Sequence, residues 1–196
     1  MIAYLEGKIN YKAATNIYLD IGGIAYDVQI SLNTFAEIEP LKNVKLYTHL
    51  IVRENEHSIY GFFTMSEKDL FGKLISVSGI GPNTARVILS YMTPNEAKTA
   101  ILTDNVVAFK KVKGVGPKTA QRIILDLKDK VAKEGLELDT NINLPTSSLR
   151  DEALSALLAL GFNKNIVAKQ IDKAFKDNPD INQVENLIKA VLRQLS

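Results

Sequence analysis

Gly79-Ile80-Gly81-Pro82-Asn83-Thr84-Ala85 returns 35 residues later as Gly114-Val115-Gly116-Pro117-Lys118-Thr119-Ala120. Each copy follows a short apolar segment, Leu74-Ile75-Ser76-Val77 or Phe109-Lys110-Lys111-Val112. Each precedes a helical pattern, Arg86-Val87-Ile88-Leu89 or Arg122-Ile123-Ile124-Leu125. The spacing predicts helix, tight glycine hairpin, helix, made twice. Glycine lets the backbone take positive φ and approach a ligand closely. Proline suits the first helical turn, where its missing N–H costs nothing. The bare N–H groups and the helix dipole then favour an anion such as a phosphate.

The candidate phosphate-binding residues are therefore Gly79, Gly81, Asn83, Thr84 and Arg86 in the first copy. In the second they are Lys111, Gly114, Gly116, Lys118, Thr119 and Arg122. Two ordinary helical hairpins are the bland alternative, and the matched repetition favours a nucleic-acid backbone site. Gly116-Pro117-Lys118-Thr119 is not a nucleotide-binding P-loop, because Pro117 interrupts the Gly-Lys-Ser/Thr run and a helical segment precedes it. No catalytic constellation is expected.

The 196 residues are 46% hydrophobic and 23% charged, an ordinary globular balance. Without cysteine there is no disulfide framework, thiolate metal site or thiol nucleophile. No cofactor and no metal are expected. No apolar run approaches the roughly 20 residues of a membrane span, and the start lacks the pattern of a signal peptide. A cytoplasmic location and no membrane partner are the expectation. Net charge is +2. It is −2 over residues 1–63, +5 over 64–130 and −1 over 131–196. The positive excess coincides with the hairpins, as electrostatic DNA or RNA contact requires.

Residues 1–63 read as five short strands. Thr15–Ile21 and Ala25–Ile30 flank Gly22-Gly23, a hairpin signal. Met1–Ile9, Val44–Val52 and His57–Phe63 supply the rest, which suggests a barrel of the OB type. Residues 64–131 read as helices forming a tandem helix-hairpin-helix domain, with Ser66 as an N-cap, a helix from Pro94 and a long last helix from Pro117 to Val131. Residues 132–147 lack helical spacing and are rich in Asn, Thr and Ser, the composition of a flexible linker. Residues 148–196 read as three helices. Ser148 caps the first and Gly161 ends it; Asn163 or Asn165 opens the second. This small unit carries too little basic charge for DNA and reads as a partner-docking module.

Between the last two strands lies Arg53-Glu54-Asn55-Glu56-His57. Two carboxylates at a strand turn are either a solvated loop or a negative point that repels a phosphate backbone.

Taken together, Thr48-His49-Leu50-Ile51-Val52-Arg53-Glu54, Tyr60-Gly61-Phe62, both hairpins, Leu127-Lys128-Asp129-Lys130 and Ala159-Leu160-Gly161-Phe162 resemble the bacterial RuvA family of Holliday-junction branch-migration proteins. The resemblance spans essentially the whole chain. It implies an OB barrel, a helix-hairpin-helix tandem and a three-helix, UBA-like C-terminal domain. It implies structure-specific binding of four-way junction DNA by a homotetramer, alone or as two tetramers, in recombination and DNA repair. It implies a non-catalytic subunit that recruits the hexameric ATPase RuvB, with the resolvase RuvC in a larger complex. Glu54 and Asn55, with Glu56 adjacent, match the acidic pin that separates strands. Family pins often carry two consecutive acids, and Asn55 departs from that; the first hairpin often carries Lys where this chain has Asn83. Leu157, Leu160 and Phe162 are the candidate motor-docking residues.

Two other classes compete. A helix-hairpin-helix glycosylase or nuclease needs a catalytic Lys or Asp or a metal-binding carboxylate cluster. A general single-strand binder could use Tyr4, Tyr11, Tyr18, Tyr26 and Tyr47 as stacking platforms, though at strand spacing tyrosines are more often core or interface.

Overall fold

Alternation of apolar and polar residues at period 2 builds the N-terminal sheet. The computed structural model describes residues 2–139, 145–178 and 181–195. Strands β1 (Tyr4–Lys12), β2 (Asn16–Ile21), β3 (Ile24–Ile30), β4 (Asn43–Arg53) and β5 (Glu56–Phe62) close a barrel in the order β1-β2-β3-β5-β4. All pairings are antiparallel except β3 with β5. The Gly22-Gly23 turn sits where expected, closed by the Ile21–Ile24 pair. Leu5, Ile17, Leu19, Val28, Ile30, Val44 and Leu46 fill the barrel.

Helix α1 (Leu32–Ile38), between β3 and β4, has no counterpart in the sequence reading. Its seven residues are too few to show a helical period. It exists because Ser31 caps it and Ile38 plugs the barrel end. Lys12 holds its C-terminal end by donating to the carbonyls of Ile38, Glu39 and Leu41.

Helices α2 (Met65–Ile75), α3 (Pro82–Tyr91), α4 (Pro94–Leu102), α5 (Val106–Lys110) and α6 (Pro117–Asp139) follow. Thr64, rather than the expected Ser66, caps α2, its hydroxyl accepting from the Glu67 N–H. The barrel and these helices form one compact unit, Met1–Glu137. The cause is a shared core: Tyr60 and Phe62 leave the end of β5 to pack with Leu70, Phe71 and Leu74 of α2. A buried carboxylate adds to the joint. Glu67 accepts from Ser31 Oγ at 2.5 Å and Thr34 Oγ1 at 2.6 Å, tying α2 to α1. Burial raises its pKa above the ordinary carboxylate range, against the pull of those two hydroxyls.

The expected linker is met differently. Helix α6 continues past Val131 to Asp139, and helix α7 (Pro145–Ala159) already includes residues 145–147. Residues 140–144 lie outside the described residues. Ala132, Lys133, Glu134, Leu136 and Glu137 are good helix formers, and Gly135 alone, at about 1 kcal/mol, does not stop them. Since α7 opens at Pro145, a natural first-turn residue, Ser148 lies inside the helix and does not cap it.

The second unit is Leu138–Ser196. Helices α7, α8 (Lys164–Asp177) and α9 (Val184–Leu195) surround a core of Ala153, Leu157, Val167, Ile171, Ala174, Leu187 and Val191. Gly161 ends α7 as expected, and Asn163 caps α8. Asn178 follows the end of α8, and residues 179–180 lie outside the described residues.

Candidate nucleic-acid interface

The repeated phrase folds into two hairpins of matching geometry. Gly79 and Gly114 have φ of 91° and 90°, where a side chain is strained and glycine is not. Ile80 N–H donates to the Val77 carbonyl and Val115 N–H to that of Val112, both at 3.1 Å. Ala85 N–H reaches the Gly81 carbonyl at 3.0 Å and Ala120 N–H that of Gly116 at 2.9 Å. Val77, Ile80 and Ala85 are buried, as are Val112, Val115 and Ala120. The apolar positions thus anchor each turn while the glycines between them stay at the surface.

The helix starts differ in kind from their neighbours. Ser31, Thr64, Thr93, Asn105 and Asn163 cap α1, α2, α4, α5 and α8 with side-chain oxygens. Gly81 opens α3 with no side-chain cap, and Gly116 holds the matching place before α6. A helix start without a side-chain cap leaves its first N–H groups and the positive end of the dipole able to receive an anion.

Around the second hairpin Lys110, Lys111, Lys113 and Lys118 are all exposed, while Thr84 and Thr119 are half-buried. Arg122 donates to Ser78 Oγ at 3.4 Å, which brings α6 against the first hairpin. Ser78 escaped the sequence reading, although the 35-residue offset pairs it with Lys113. Arg86 is placed otherwise than expected. It faces the barrel, donating to the Thr15 carbonyl at 3.0 Å and Gln29 Oε1 at 2.6 Å, and so serves as a tie between α3 and the strands.

Glu54 and Asn55 form the two-residue turn between β4 and β5, closed by the Arg53–Glu56 pair. Arg53, Glu54, Asn55, Glu56 and His57 are all exposed. Glu56 starts β5 and accepts from Ser58 Oγ at 2.6 Å. Its charge stands opposite that of Arg53, so Glu54 supplies the uncompensated charge at the tip.

The five tyrosines divide. Tyr4, Tyr11 and Tyr18 are exposed, and Tyr11 meets Tyr18 with ring centroids 4.8 Å apart. Tyr26 and Tyr47 are half-buried. Tyr18 lies opposite Asp27 and two residues from Asp20. The Gly23 N–H and the Asn10 amide hold the Asp20 carboxyl below the ordinary range, so it stays anionic. Lys8 stands opposite Asp20 and Lys45 lies over the Tyr4 ring, so the tyrosines sit among charges of both signs. His49 packs edge-on to Phe71, and burial, helped by Lys68, lowers its pKa. Among the described residues no three His, Asp or Glu side chains converge as a metal ligand set, and no helix is long and apolar enough to cross a membrane.

In the C-terminal unit the three docking candidates part company. Leu157 is 0% exposed and belongs to the core, so it is not free to meet a partner. Leu160 is 62% exposed, just beyond α7. Phe162 is half-buried against the core, its N–H donating to the Leu157 carbonyl. Leu158 and Ile166, exposed near the same turn, are not among the docking candidates read from the sequence.

Comparison with known proteins matches all three segments. The model described as RuvA N terminal domain matches residues 1–61. That described as SAM-like helix-hairpin-helix tandem matches residues 71–129. That described as RuvA, C-terminal domain matches residues 148–196. The Holliday junction branch migration complex subunit RuvA of Cytophaga hutchinsonii is 44% identical over 197 residues, covering 98% of this chain and 99% of its own length. That of Christiangramia forsetii is 44% identical over 195 residues and covers both chains fully. That of Bacteroides fragilis is 41% identical over 203 residues.

Proposed function

The chain belongs to the RuvA family, and from that premise we propose that it binds four-way junction DNA as the non-catalytic subunit of a branch-migration complex. The observation that carries this reading is the pair of matched hairpins with uncapped helix starts in the most basic third of the chain. Such a site holds phosphates through backbone N–H groups and reads no base edges, so it suits recognition of DNA shape. Glycines 79, 81, 114 and 116, with Asn83, Thr84, Lys111, Lys118, Thr119 and Arg122, form the phosphate-facing set. Arg86 supports it from behind.

A junction has four duplex arms, and a closed homotetramer would offer one hairpin pair to each. In that assembly the Glu54-Asn55 turn sits at the crossing point and repels strands from it. The motor is the hexameric ATPase RuvB, received by residues 148–196, where Leu160 with its neighbours Leu158 and Ile166 offers an exposed apolar patch. RuvC joins this complex as the resolving nuclease.

Electrophoretic mobility of four-way and linear duplex DNA of equal length tests the binding. The four-way form should be retained at protein concentrations that leave the linear form free, and equal retention refutes structure-specific recognition. A chain ending at Glu137 should still bind junctions as a tetramer yet fail to stimulate RuvB-driven migration. Full stimulation by that chain refutes the docking role.

A further inference from the structure

The 35-residue offset makes Asn83 and Lys118 the same position of the two hairpins, yet one carries a carboxamide and the other a charge. Both are exposed just after the proline that opens a helix. The carboxamide is not free to turn. The Tyr60 hydroxyl donates to Asn83 Oδ1 at 3.3 Å. Tyr60 itself is 5% exposed, its ring packed on Phe71 at 5.0 Å. Its backbone is paired on both sides, with His49 of β4 and Gln29 of β3. Among the described residues the Nδ2 of Asn83 has no acceptor. A carboxamide held by its oxygen presents its nitrogen outward.

We propose that Tyr60 is a positioning residue that holds the Asn83 carboxamide with its N–H edge toward DNA, so that an oriented neutral dipole does in the first hairpin what the Lys118 charge does in the second. The proposal rests on the reading of the hairpins as phosphate sites. Burial raises the pKa of the Tyr60 phenol, so the hydroxyl keeps the proton that it donates to Asn83 Oδ1. Glu56, which follows the acidic turn and opens β5, is four residues upstream on the same strand, so this link also joins the base of the turn to the first hairpin. Without the tyrosine hydroxyl the amide has two roughly equal orientations, one of which aims oxygen at phosphate.

The test is a double-substitution cycle on the full chain, with a four-way DNA junction titrated at several salt concentrations. Asn83→Ala should weaken binding about fivefold with the salt slope unchanged, because no charge is lost. Tyr60→Phe, which keeps the ring on Phe71, should weaken binding about two- to fivefold, the cost of losing a pre-set orientation. In the Asn83→Ala background Tyr60→Phe should change nothing. Equal weakening by Tyr60→Phe in both backgrounds would mean a general structural role and overturns the proposal, as does a salt slope lowered by Asn83→Ala. Lys118→Ala separates the two levels: it should weaken binding and lower the slope by about one. If it does so while Asn83→Ala and Tyr60→Phe have no effect, the positioning role alone fails. If all three leave binding unchanged, the phosphate reading fails and takes this proposal with it.

Discussion

Gly79 and Gly81 are two residues apart, and the structure gives them different reasons to be glycine. At Gly79 φ is +91°, and an added Cβ would meet no atom within 4 Å. The cost of Gly79→Ala is therefore backbone strain alone, about 1–2 kcal/mol for a side chain forced to positive φ. For a unit of this size that lowers the melting temperature by about 3–8 °C. Gly114 has the same φ, also with open space, so Gly114→Ala should cost the same amount. Gly81 has φ −87° and ψ 169°, which any residue adopts, and its Cβ would also meet nothing. Gly81→Ala should leave stability unchanged or raise it by up to about 1 kcal/mol, since alanine restricts the unfolded chain. Its methyl group would nevertheless stand where a phosphate must approach the helix start. Losing one charge-assisted hydrogen bond there weakens junction binding by at least about tenfold. Thermal denaturation followed by circular dichroism, with junction titration of the same samples, reads both quantities. A Gly79→Ala protein as stable as the parent refutes the strain argument. A Gly81→Ala protein that binds like the parent refutes close backbone approach.

Replacing Glu54 and Glu56 together by Gln should tighten junction binding at least about twofold at low salt and lose that effect near 1 M, where screening acts within about 3 Å; weaker binding contradicts electrostatic repulsion. Burial raises the Glu67 pKa from its ordinary 4.5, so the folded chain favours the protonated form. Its contribution is then complete below that range, falls as pH rises through the folded value and is level above it. Urea denaturation at stepped pH should show this fall in the parent and not in Glu67→Gln, and identical profiles refute it. Leu160→Glu should leave the melting of the C-terminal unit unchanged and abolish stimulation of RuvB. Leu157→Ala should cost that unit about 2–5 kcal/mol by opening its core. The reverse ranking in calorimetry would exchange their roles.

The hairpins were legible because their determinants are local. A positive φ, a proline at a helix start and apolar anchors on either side all lie between Val77 and Ala85, and duplication showed that the pattern was no accident. The barrel strands and their glycine turn were legible from period-2 alternation for the same reason. Where a determinant lay across space, the sequence was silent. Helix α1 is too short to show a period and is held by Ser31, Lys12 and the barrel interior. Arg86 reads as a phosphate ligand by position, yet Thr15 and Gln29, more than fifty residues away in the chain, turn it to the barrel. Leu157 and Leu160 are equivalent by composition, and only the packing of α8 and α9 makes one core and the other surface. Tyr60 stands in the Tyr60-Gly61-Phe62 run that marks the family, but its link to Asn83 exists because β5 and α3 meet on a shared core. The sequence by itself determined the phosphate-type turns, their basic setting and the order of the elements, since each depends on neighbours along the chain. Tertiary structure alone decided which exposed-looking side chains face a ligand, because that depends on what else packs against them.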